Sequence, residues 1–98
     1  MGEKEIETYF KQQVHDVITR SITEPSGFLA YFEDREPRDE EILGLLAVNS
    51  VISGDLSLRD AFPTPLEALA ALSNSSRTEL CRHFREELNA TRQQLAAA

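Results

Sequence analysis

Thr64-Pro65-Leu66-Glu67-Ala68-Leu69-Ala70-Ala71-Leu72-Ser73-Asn74-Ser75-Ser76-Arg77-Thr78-Glu79-Leu80-Cys81-Arg82-His83-Phe84 spells two helix starts in close succession. Thr64 supplies a side-chain oxygen for a helix N-terminus, Pro65 suits the first helical position, and Glu67 stands three residues after the cap. A short helix over 65–72 is expected. Ser73-Asn74-Ser75 then reads as a turn, because Asn tolerates the left-handed conformation and Ser favours caps over helix interiors. Ser76-Arg77-Thr78-Glu79 repeats the capping-box spacing, and Leu80, Phe84, Leu88, Thr91 and Leu95 follow at steps of three and four. That spacing predicts a long helix over 76–95. Ala70 is expected to be small because the two helices cross there.

Upstream, Ile6, Phe10, Val14, Val17, Ile18 and Ile22 recur at mostly three- and four-residue steps among polar residues, predicting an amphipathic helix over 4–23. Glu24-Pro25-Ser26-Gly27 stops it. Phe28, Leu29, Tyr31 and Phe32 put four large side chains in five residues, a short helix over 27–33 that plugs a core or, alternatively, lines a ligand pocket. Pro37 suits the first position of the next helix, 38–53, whose early acids complement the helix dipole. From Ile42 to Ile52 that helix is apolar nearly all round, so it should be buried on most sides, in part against another subunit. Ser53-Gly54-Asp55 ends it, and Leu56 to Phe62 reads as one more turn with Ser57 and Asp60 at capping spacing. No strand alternation appears. The fold class is all-α: a small bundle of four to five helices with a C-terminal helix-turn-helix.

Ninety-eight residues with 41% hydrophobic and 28% charged side chains suffice for one globular domain and exclude barrels and doubly wound nucleotide folds. The single domain, 1–98, divides at Pro63. Thirteen acids and six bases lie before that residue and four of each after it, so the whole net charge of −7 belongs to the helical segment 1–62. Such a balance opposes non-specific attraction to phosphate backbones and anionic membranes, yet leaves the near-neutral segment 63–98 free to meet another molecule. One cysteine makes no internal disulfide, and there is neither a signal layout nor an apolar run of about 20 residues. A cytoplasmic protein without membrane association is expected.

Enzyme chemistry has no foothold here, and no cofactor is implied. A Gly-rich phosphate loop, a Cys-x-x-Cys pair, a His-Glu-x-x-His helix and a nucleophile elbow are all missing from the sequence. Cys81 and His83, two apart on a helix, point away from each other and make poor ligands for one metal. His15 reads as a surface residue. Glu33, Asp34, Glu36, Asp39, Glu40 and Glu41 lack the alternating oxygens and central Gly of a calcium loop, and read as a solvated acidic face.

Leu66-Glu67 with Leu69-Ala70, then Ser76, Leu80, Arg82 and Phe84, resembles without a gap the first helix-turn-helix of AraC-type transcription regulators. The likeness covers the last third of the chain. Asn89 stands where that family usually has Gly, Ser73 and Ser75 where apolar residues pack the turn, and no second helix-turn-helix follows. TetR-type regulators share the Ser, Leu and Arg-His-Phe portion. A smaller likeness, over Ile42 to Asp55 with Leu43-Gly44, Asn49 and Ser53-Gly54-Asp55, is to the AriR/YmgB regulators.

The AraC-type likeness implies a small regulator that binds DNA as a dimer, one copy per half-site, and the AriR/YmgB likeness a protein that dimerises and modulates a regulatory pathway through protein contacts. Ser75, Arg77, Thr78, Arg82 and Arg85 would face the nucleic acid, with Arg suited to guanine or phosphate. Leu45, Leu46, Val48 and Ile52 would join the two copies of a homodimer. The alternative is an acidic, helical, protein-binding adaptor, chaperone or antagonist without DNA contact, supported by the −7 charge.

Overall fold

A computed structural model describes residues 2–23, 35–53 and 62–97. Four helices make up the described fold: α1, Glu3–Thr23; α2, Asp39–Ile52; α3, Pro65–Ala70; and α4, Asn74–Ala97. No strand occurs among the described residues. The expected helix over 27–33 with Phe28, Leu29, Tyr31 and Phe32, the turn at 56–62 save Phe62, and the carboxylates Glu33 and Asp34 lie outside the described residues.

α1 forms because its apolar positions share one stripe. Ile6, Phe10, Val14, Val17 and Ile18 are all buried. α4 answers with Leu80, Cys81, Phe84, Leu88 and Thr91, and these two long helices pack on each other most extensively. α2 touches all three other helices and adds Ile42, Leu46 and Ala47 to the same core, which Phe62 and Tyr9 flank from partly buried positions.

The boundaries differ instructively from the sequence reading. α2 begins at Asp39, so Pro37 stands two residues before its first helical position, fully buried, with Arg38 at the cap. Glu41 fixes this start. Its Oε1 accepts from the Arg38 backbone N–H at 2.9 Å, and both of its oxygens accept from Arg35 at 2.9 and 2.7 Å. These bonds, Arg35 first, hold the Glu41 carboxyl down at about 2.

Thr64 caps α3 as the sequence implies, its Oγ1 accepting from the Glu67 N–H at 3.3 Å with Pro65 in first position. The helix ends at Ala70, two residues early, where the bonding tightens to three-residue turns: the Ala71 N–H reaches the Ala68 carbonyl and the Leu72 N–H the Leu69 carbonyl, each at 3.2 Å. Ala68 and Leu69 are its buried residues and α2 is its main neighbour. Ala70 is exposed, so the expectation that it marks a close helix crossing is corrected: Ala68 is the small residue at the packed face.

The turn is Ala71-Leu72-Ser73, two residues earlier than Ser73-Asn74-Ser75, and Ser76 is not the cap of α4. Ser73 is. Its Oγ accepts from the Ser76 N–H at 3.2 Å and its carbonyl from the Arg77 N–H at 3.0 Å. The second half of a capping box, a carboxylate on the cap's own N–H, comes from another helix: Glu3 Oε1 accepts from the Ser73 N–H at 2.6 Å. A carboxylate seventy residues away thus does what the sequence assigned to Glu79, and Glu79 is free to pair elsewhere.

Candidate functional site

The residues expected to make contacts lie on two surfaces: the outer face of α4, which carries the arginines, and α2, which carries none. On α4, burial of Leu80, Phe84 and Leu88 turns the intervening positions outward. Ser75 and Thr78 are exposed in the first two turns. Arg77 is half-buried and donates from Nη2 to the Asn74 side-chain oxygen at 2.5 Å. Arg82 sits between two carboxylates of its own helix. It donates from Nε and Nη2 to Glu79 at 2.8 and 2.5 Å, and from Nη1 to Glu86. This double clamp raises the Arg82 pKa above its usual value, and the Arg82 bond, helped by Lys11 at 3.5 Å, holds the Glu79 carboxyl down at about 2.

Arg85 turns toward the approach to α2. It donates to the Pro37 carbonyl from Nη2 at 2.9 Å and from Nε at 3.3 Å, and pairs with Asp39 at 2.5 Å, with Glu36 at 3.7 Å. Arg92 donates to the Arg35 carbonyl at 3.3 Å. Arg82 and Arg85 therefore turn their guanidinium groups to acids one turn away and to the start of α2, whereas Arg77, among the described residues, bonds only the neutral Asn74 side chain.

α2 presents the opposite character. No charged residue lies between Ile42 and Ser53. Leu46 is wholly buried, and Leu45 and Leu43 are partly buried against the core, so of the four residues expected to meet a partner Leu46 faces inward. Val48 and Ile52 face out, 54% and 66% exposed, and Val51, which the sequence reading passed over, is 67% exposed. Gly44 shares this side. A Cβ built on it meets no described atom within 4 Å, although a mid-helix glycine costs roughly 0.5–1 kcal/mol relative to alanine.

The orientation of α2 is set by polar contacts rather than by its apolar residues, which occur on every side. Asn49 Nδ2 donates to Gln13 Oε1 of α1 at 2.5 Å, with both residues buried, and the Tyr9 and Ser50 hydroxyls lie 2.6 Å apart beside them. Satisfying these groups fixes which face of α2 meets α1, and leaves Val48, Val51 and Ile52 to solvent. Gln13 does not stand out in the sequence, and Asn49 enters it only through the AriR/YmgB likeness; the signal for this pairing is a polar residue on an otherwise apolar stripe in each helix.

Cys81 is buried and reaches toward the Asp39 carbonyl at 3.9 Å; desolvation, with Asp39 nearby, pushes its thiol up to about 11. His15 is exposed and His83 half-buried. Among the described residues no three His, Cys, Asp or Glu side chains gather where they would share a metal ion, and no helix is long and apolar enough to cross a membrane. Comparison of the chain with known family models, with curated proteins and with solved structures finds no match to any of them.

Proposed function

We propose that this chain works by binding another protein through its helical surface, as an acidic adaptor or antagonist, and not by reading DNA. The arginines of α4 carry this reading: Arg82 is clamped by Glu79 and Glu86, and Arg85 is tied to Pro37 and Asp39. A helix that enters a DNA groove needs its guanidinium groups for bases and phosphates, and here Arg82 and Arg85 already face carboxylates of the fold that compete for them. The net charge of −7 adds long-range repulsion, while the uncharged outer side of α2 offers contact area to a protein.

The second reading, a dimeric helix-turn-helix regulator, draws on the succession of a short helix, a three-residue turn and a long helix whose first turns expose Ser75 and Thr78. Arg77, Arg82 and Arg85 would be its contacts. A mobility-shift assay at about 50 mM salt, where phosphate contacts are strongest, separates the two. No shift with random DNA or with DNA from the native neighbourhood is expected. A shift that weakens in Arg77→Ala and Arg82→Ala would replace the adaptor reading with the regulator. On the positive side, a defined protein should co-purify with the chain and be lost on Val51→Glu.

A further inference from the structure

We draw no further inference here: the strongest candidate, the apolar surface patch on the outer side of α2 at Val48, Val51 and Ile52, has nothing in the structure to show what covers it.

Discussion

Replacing Asn49 by leucine should destabilise the fold, and replacing Gln13 as well should restore most of what was lost. Both amides are buried, 5% and 4% exposed, and each is the other's partner at 2.5 Å. Asn49→Leu alone strands the Gln13 amide where water scarcely reaches, at a cost of about 1–3 kcal/mol. Gln13→Leu alone strands Asn49 by a similar amount. The double variant removes both polar groups and leaves two side chains of comparable volume in contact, so its stability should return to within about 1 kcal/mol of wild type. The coupling between the two sites, the sum of the single losses less that of the double variant, is then at least about 1 kcal/mol and as much as about 6, well above the scatter of independent substitutions. Urea unfolding followed by circular dichroism measures all four proteins, and each kcal/mol corresponds to about 4–8 °C in thermal midpoint for a domain of this size. If the two single losses simply add in the double variant, the pair does not hold α2 on α1 as described.

Three further outcomes follow from the same contacts. The Glu3 carboxyl, held at about 2 by its bonds to the Ser73 side chain and N–H, is depressed below its ordinary 4.5. Its contribution to stability is present above pH 4.5 and lost as pH falls toward 2, so Glu3→Gln should flatten that stretch of the urea-midpoint profile and leave its slope near neutrality unchanged. Cys81, 1% exposed with its thiol pushed up to about 11, should resist Ellman's reagent at about pH 8 and react at the rate of global opening, accelerating in urea; rapid native labelling would contradict its burial. Phe84→Ala, at a wholly buried position of α4, should cost about 3–5 kcal/mol, read as a lowered urea midpoint of the helical dichroism; a loss below about 1 kcal/mol would contradict its place in the core.

The long helices were legible because a stripe at helical spacing needs only its own residues: Ile6 to Ile18 and Leu80 to Leu88 announce α1 and α4, and both have their apolar positions inside. Starts and ends were harder. The Thr64 cap was readable because Thr64, Pro65 and Glu67 are adjacent, whereas the start of α4 was misplaced because half of its cap is Glu3. No local pattern announces a ligand seventy residues upstream. The same limit hid the state of the arginines. Glu79, Arg82 and Glu86 stand at steps of three and four, spacing that a helix turns into ion pairs and that the sequence does show. The bonds of Arg85 to Pro37 and Asp39 required the packing of α4 against the start of α2. In α2 the apolar run gave helix but not rotation, since Leu, Val and Ile surround the axis; Asn49 and Ser50, apparent blemishes in that run, decide which side is hidden.

The bond from Glu3 to Ser73 also bears on how the molecule is born. Its first described helix finds its principal mate, α4, only after the whole stretch between them has been translated. Until then α1 has only α2 to cover part of its apolar stripe, and the rest of the stripe waits for α4. Closure across so long a span makes assembly slower than in bundles built from sequential hairpins. Shortening the protein from its C-terminal side into α4 should release an unfolded product rather than a smaller native one.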